Sequence, residues 1–208
     1  MRSRAALILF LFLSSTLALT QQTSSNYKRI EAMVPVRDGI HLQTVYFLPL
    51  NQEEPLPILL LRTPYGVPET EGPLHSPSMK ELAADGYIFA FQNLRGRFKS
   101  EGEFSMSMSY DPKGTNESTD AYDTIDWLVK NVPNNNGKVG LWGVSYPGLT
   151  AALGMLEPHP ALKAISEQAS PADQWMNDDF HRYGALRLSY AFEYAVLEQA
   201  DKNANTYF

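Results

Sequence analysis

The eleven residues Lys138-Val-Gly-Leu-Trp-Gly143-Val-Ser145-Tyr146-Pro147-Gly148 constrain this chain more than any other stretch. The first half is apolar and the second opens on small residues and a proline, so the segment reads as a buried strand turning sharply into a helix. Ser145 sits in the turn, where its hydroxyl is lifted onto the helix start. Such a turn needs a small residue two before the serine, and Gly143 stands there. A second small residue is needed where the helix packs back on the strand. The generic Gly-x-Ser-x-Gly spacing would put it at 147, but this chain has Pro147 and then Gly148. Proline is tolerated in a first helical turn, where its missing N–H has no intrahelical partner. The helix N-terminus turns partial positive charge toward the serine oxygen and any oxyanion it generates. The N–H of Tyr146 is the natural first donor to that oxyanion. An ordinary glycine-flanked strand-to-helix turn is the plain alternative, and the segment alone leaves both open.

Elsewhere the chain alternates between two periods. Tyr27 to Val36 and Ile40 to Leu48 read as strands around the turn Arg37-Asp38-Gly39. Pro57 to Arg62 and Tyr87 to Gln92 read as strands covered on both faces, with a short helix from Ser78 to Asp85 between them and Gly86 as its stop. Asp120 to Val132 carries Tyr122, Ile125, Leu128 and Val129 on one helical stripe, closed by Pro133 and the turn Asn134-Asn135-Asn136-Gly137. Leu149 to Leu156 continues the helix after Ser145, and Leu162 to Glu167 is a further strand. Strand and helix in alternation imply an α/β fold with a mostly parallel sheet flanked by helices. With the serine elbow on it, the expected architecture is the α/β-hydrolase fold, of which residues 27–170 are expected to form the N-terminal part, truncated at the start of a helical cap. From Pro171 the character changes. Trp175-Met176-Asn177-Asp178-Asp179-Phe180-His181-Arg182-Tyr183 is aromatic and acidic together, Gly184 to Gln199 reads as helix, and 171–208 is expected to begin a helical cap.

The N-terminus predicts export, periplasmic or secreted. Arg2 and Arg4 precede the apolar run Ala5 to Leu13, and Thr16-Leu17-Ala18 suits cleavage after Ala18, leaving a polar linker over 19–26. The run is short of the roughly 20 apolar residues that span a bilayer, so no stable membrane anchor is expected after cleavage. With 17 basic residues against 23 acidic ones the net charge is −6, and removal of the two arginines makes the mature chain more acidic still. Nucleic-acid binding is therefore not expected, since phosphate contacts need a basic surface. The absence of cysteine excludes disulfides, thiol catalysis and thiolate metal sites. No cofactor and no metal are expected, and a homo-oligomer is left open.

A second element supports the serine. Arg62-Thr63-Pro64-Tyr65-Gly66 follows the buried strand at the place where this architecture supplies its other oxyanion donor, and the Tyr65 phenol can donate there in place of a backbone amide. Taken alone, Tyr65 reads more readily as a partly buried packing tyrosine. Arg95 and Arg97 invite a phosphate or substrate clamp, but pairing with Asp120, Asp123 or Glu101 is the better explanation. Asn116-Glu117-Ser118 is a glycosylation sequon, informative only in a eukaryotic source.

Four ordered motifs, Arg62-Thr-Pro-Tyr65-Gly66, Asn93-Leu-Arg95-Gly96-Arg97-Phe98-Lys99-Ser100-Glu101-Gly102, Asp120-Ala-Tyr-Asp123-Thr-Ile-Asp126-Trp127-Leu128 and Gly143-Val-Ser145-Tyr146-Pro-Gly148, carry a resemblance. The chain from about Tyr27 onward resembles the X-Pro dipeptidyl-peptidase, cocaine esterase and α-amino-acid ester hydrolase family. In that family the serine motif is itself Gly-x-Ser-Tyr-x-Gly. The resemblance implies a serine hydrolase acting on small-molecule ester, amide or peptide substrates. Ser145 would be the nucleophile, and the Tyr65 phenol and Tyr146 N–H would hold the oxyanion. Members complete the triad with an Asp and a His and carry a helical cap and usually a jelly-roll domain; neither triad partner is assigned here. His41, His75 and His159 read as loop or surface residues. His181 lies nearest a plausible pocket, but the family's base follows the final strands.

The cap start is similar to that of the α-amino-acid ester hydrolases, which implies that Asp179, or Asp178 as the close alternative, holds a substrate α-ammonium. A solvated acidic pair capping the next helix is the competing reading. Trp175, Met176, Phe180 and Tyr183 are expected to wall the acyl pocket. Beside the enzyme reading stands another class of function, a truncated product or a protein reduced to binding, silent for want of the triad Asp and His.

Overall fold

The computed structural model describes residues 26–106, 113–171, 173–199 and 201–205. The expected export signal Met1 to Ala18, and all of the polar linker except Asn26, lie outside the described residues. Apolar residues alternating along three strands fix the layers. β1 (Tyr27–Pro35) and β2 (His41–Pro49) form the antiparallel hairpin, with Gly39 at φ 88° in its turn. β3 (Leu56–Thr63), β4 (Ile88–Asn93), β5 (Asn135–Val144) and β6 (Leu162–Gln168) complete a six-stranded sheet in the order β1-β2-β4-β3-β5-β6. β2 meets β4 antiparallel; every pairing from β4 to β6 is parallel. This is a mostly parallel α/β sheet, as the alternation of elements requires.

One sheet face carries Ile58, Leu60, Ile88, Ala90, Val139 and Leu141, packed on Ile125 and Leu128 of α2 (Glu117–Asn131) and Ala151 of α3 (Tyr146–Leu153). The other carries Phe47, Phe89 and Phe91 with Leu59 and Leu61, packed on Leu74, Met79 and Leu82, of which Leu82 belongs to α1 (Lys80–Ala84). Period-2 alternation in β3, β4 and β5 sends neighbours such as Leu60 and Leu61 to opposite cores, which is why these strands are apolar throughout. Two local differences from the sequence reading have clear causes. α2 begins three residues early because Asn116 caps it: its side chain accepts from the N–H groups of Ser118 and Thr119, and its own N–H donates to Thr119 Oγ1 in a reciprocal capping box. Gly184 to Arg187 is not helical. Tyr183 and Gly184, at φ 52° and 79°, turn a small hairpin of β7 (His181–Arg182) and β8 (Ala185–Leu186), and α4 runs only over Leu188–Gln199. Among the described residues no helix is long and apolar enough to cross a membrane.

The sheet order positions the site. After β3 the chain passes to β4 on one side; after β5 it passes to β6 on the other. The carboxyl ends of these adjacent strands therefore flank a topological switch point, where open α/β sheets form their ligand crevice.

Candidate active site

β5 ends at Val144 and α3 begins at Tyr146, so Ser145 alone makes the turn. Its backbone lies at φ 63°, ψ −125°, a conformation that costs a side-chain-bearing residue about 1–3 kcal/mol and clusters at functional sites. The turn is held by the Ser145 N–H donating to Gln168 O at 2.9 Å and by the Leu149 N–H donating to Ser145 O at 2.9 Å. Both glycines are sterically required. A Cβ on Gly143 would collide with the main chain of Pro147, and one on Gly148 would stand 2.5 Å from Gln168 O. Ser145 itself is exposed, and as the first residue of α3 Tyr146 turns its N–H back off the helix start beside it.

Ser145, Tyr146 and Leu149 line one side of a pocket whose other wall comes from the cap. Asp178, Asp179 and Phe180 contribute from the loop before β7; Tyr190 and Tyr194 contribute from α4. Phe180 packs against both tyrosine rings, at 6.1 and 5.7 Å between centroids. The two candidate aspartates differ. Asp178 accepts from the backbone N–H groups of Asp179 and Asp173, so its carboxylate shapes the loop. Among the described residues the Asp179 carboxylate makes no hydrogen bond or ion pair, and it faces the pocket.

Three of the four residues expected to wall the pocket lie elsewhere. Trp175 is 74% exposed and stacks on His181; Met176 lies against the Gly184 turn; Tyr183 is 81% exposed. Trp175 and Met176 lie in the turn before β7 and Tyr183 in the turn between β7 and β8, away from the pocket lining, and only Phe180 keeps its expected place. Met106, Pro171, Gln174, Tyr190 and Tyr194 line the pocket without having been anticipated. Tyr190 and Tyr194 were findable, since they are four apart on one helix and so share a face.

Tyr65 stands at the carboxyl end of β3. Thr63 Oγ1 accepts its N–H at 3.0 Å, and Thr150 of α3 donates to Arg62 O at 2.9 Å, tying this loop to the helix that carries Ser145. The Tyr65 ring sits edge-on to Tyr146 at 6.4 Å, and its hydroxyl lies 2.6 Å from that of Tyr194. Tyr65 is not itself among the residues lining the pocket; Tyr194, its hydroxyl partner, is.

A charge cluster joins the end of β3, the loop after β4 and the first turn of α2. Arg95 pairs bidentately with fully buried Asp120 at 2.8 and 2.7 Å and reaches Asp38 at 3.0 Å. The hydrogen bonds that Arg95 donates to Asp120 push its guanidinium up from its ordinary range, against the opposing effect of burial. Buried Arg62 joins Glu117 at 2.9 Å and Asp120 at 3.7 Å. Burial raises the Glu117 carboxyl, with Arg62 opposing. Arg95 thus pairs as expected, whereas Arg97, only 1% exposed, donates to the carbonyls of Pro64, Asp201 and Ala204. Asp123 pairs with Arg37, and Glu101 with His41. The remaining histidines are engaged elsewhere or at the pocket's border: His75 with Glu71, His159 with Asp126 and Tyr122, and His181 with the carbonyl of Gln174, a pocket-lining residue. Among the described residues no histidine lines the pocket.

The family model for X-Pro dipeptidyl-peptidase (S15 family) matches residues 38–206. The cocaine esterase of Rhodococcus sp. (strain MB1 Bresler) is 32% identical over 166 residues, which are 79% of this chain and 27% of that protein. Among solved structures, an aminopeptidase from the marine sediment archaeon Thaumarchaeota archaeon superposes with a TM-score of 0.78 at 39% identity, over 86% of this chain and 31% of that one. An alpha-amino acid ester hydrolase superposes with a TM-score of 0.79 at 36% identity, over 94% of this chain and 34% of that one. The chain thus spans about a quarter to a third of the length of the relatives it matches. Its sheet is that of the α/β-hydrolase fold, and the chain belongs to the X-Pro dipeptidyl-peptidase (S15) family.

Proposed function

We propose that the protein to which this chain belongs is a serine hydrolase or acyltransferase of esters or amides, with Ser145 as its nucleophile. The observation that carries the reading is the backbone of Ser145: a side chain held at φ 63° between two glycines that admit no Cβ, at the mouth of a pocket. In the proposed reaction a histidine takes the Ser145 proton as the oxygen attacks the acyl carbon. The developing oxyanion is met by the Tyr146 N–H and the Tyr65 phenol. The intermediate collapses to an acyl-enzyme with departure of the alcohol or amine, and water or an added amine then takes the acyl group. No described residue is assigned as the triad Asp or His.

We assign the substrate's amine end to Asp179. Its carboxylate lines the same pocket as Ser145, beside the aromatic wall of Phe180, Tyr190 and Tyr194, and an ammonium there would have its charge met in a partly apolar site. Small α-amino-acid esters and related acyl compounds fit this arrangement, with short peptides as the related amide substrates. The test is fluorophosphonate labelling of the full-length protein. The probe is expected on Ser145 and absent from Ser145→Ala; equal labelling of the two sinks the nucleophile assignment. An α-amino-acid ester is expected to turn over faster than its desamino analogue, with the preference lost in Asp179→Asn. Export to the periplasm or outside the cell belongs to the same proposal, and detection of the protein in the cytosol with residues 1–18 intact would end it.

A further inference from the structure

The Tyr65 loop and the chain from α4 onward are joined by three kinds of contact that sequence distance does not foreshadow. The hydroxyls of Tyr65 and Tyr194 lie 2.6 Å apart across 129 residues of chain. Asn205 Nδ2 donates to Tyr65 O at 2.7 Å. Buried Arg97 donates to Pro64 O at 2.9 Å with one edge and to Asp201 O and Asn205 Oδ1, at 2.9 and 2.7 Å, with the other. The Tyr65 main chain is therefore anchored independently of its side chain. Tyr194 is fixed as well, by its place on α4 and by the Phe180 ring 5.7 Å away.

A phenol has one proton to give and lone pairs with which to accept. If Tyr65 is to donate to an oxyanion at Ser145, its own oxygen must be oriented from behind by a donor. Tyr194 lies within hydrogen-bond distance and lines the same pocket. We propose that Tyr194 is a positioning residue for the Tyr65 hydroxyl, donating its O–H to Tyr65 Oη so that the Tyr65 proton is directed into the oxyanion site. The inference rests on the acyl-transfer reading above. A chain of two phenols is also polarised along its length, so that the Tyr65 proton is a better donor than that of a lone tyrosine. Because Asn205 and Arg97 hold the loop backbone, Tyr194→Phe removes one hydroxyl and leaves the ring packing and the loop in place. That makes it a clean probe.

The experiment compares the full-length wild type with Tyr194→Phe, Tyr65→Phe and the double variant, assaying a 4-nitrophenyl ester of an α-amino acid. Tyr194→Phe is expected to lower kcat about 5–10-fold, the value of one hydrogen bond, with KM within about twofold of wild type. Added to Tyr65→Phe it is expected to have no further effect on kcat. An unchanged kcat, a change confined to KM, or an equal loss in both backgrounds overturns the proposal, since a residue that only packs the cap would behave in one of those ways. A crystal structure of Tyr194→Phe supplies a readout independent of turnover. The Tyr65 phenol oxygen is expected to leave its wild-type position, and an unmoved phenol overturns the positioning role. Absence of Ser145-dependent turnover in the wild type would instead remove the acyl-transfer reading, and the crystallographic comparison would then decide the Tyr194 contact by itself.

Discussion

Replacing Asp120 by asparagine should be among the most damaging single-atom exchanges in the described fold. The Asp120 carboxylate is fully buried, accepts from Arg95 Nε and Nη2 at 2.8 and 2.7 Å, and lies 3.7 Å from Nη2 of Arg62, which is 1% exposed. Asparagine keeps the shape but turns an acceptor into a donor that faces a guanidinium, and it removes the negative charge facing two cations. Arg95 keeps Asp38 at 3.0 Å and Arg62 keeps Glu117 at 2.9 Å, so neither cation is stripped of every partner. Breaking one partner of a buried pair costs about 3–5 kcal/mol. At about 2–4 °C per kcal/mol for a domain of this size, Tm should fall by about 6–20 °C. Circular dichroism melts and urea titrations at pH 7 measure both quantities. Adding Arg95→Met to Asp120→Asn should cost less than the sum of the two single variants, because the second change no longer strands a charge. A loss below about 1 kcal/mol, or strict additivity, would refute the view that Asp120 is the anion on which the loop after β4, the start of α2 and the end of β3 are assembled.

Three further outcomes follow from the geometry. Ser145→Gly should raise stability by about 1–2 kcal/mol in urea titration, since glycine adopts φ 63° without strain, while fluorophosphonate labelling disappears; a destabilised variant would mean that the elbow is not strained. Asn116→Ala should cost about 1 kcal/mol by removing the acceptor for two first-turn amides of α2, and an unchanged urea midpoint would show that the capping box contributes nothing. The Lys99 hydrogen bond holds the Glu31 carboxyl below its ordinary 4.5, and the Lys130 hydrogen bond holds Asp126 below its ordinary 3.8. Folded-state values that are depressed stabilise above the unfolded values and are lost as pH falls through the lowered ones. The contribution of these two pairs should therefore be complete above about pH 5 and be lost below about pH 4, so Tm should decline less on acidification in Lys99→Met/Lys130→Met than in the wild type; each exposed pair contributes under about 1 kcal/mol, and an identical decline in that variant would refute the assignment.

What the sequence determined by itself was local. Period-2 and period-3.6 patterns carry the strands, the helices α2 and α3, and the faces they bury, because those patterns are set by backbone geometry within a few residues. The elbow at Ser145 was legible for the same reason, since Gly143 and Gly148 are demanded by atoms only a few residues away, apart from the β6 carbonyl that Gly148 must clear. Arg95 pairing with Asp120 was legible as charge matching, but Arg97 spends its donors on carbonyls, which every residue owns and no pattern marks. The position of β3 between β4 and β5, which creates the crevice, was not encoded in any alternation. The outward setting of Tyr183 depended on the turn between β7 and β8, whose second strand lies inside the run that read as helix, and Trp175 and Met176 lie in the turn that precedes this hairpin. Only the tertiary structure brought Tyr194 to Tyr65, and only the turn bonded by Asp178 left Asp179 facing the pocket. Contacts across more than a hundred residues are selected by how layers pack, and a one-dimensional pattern records which face is apolar without recording what will meet it.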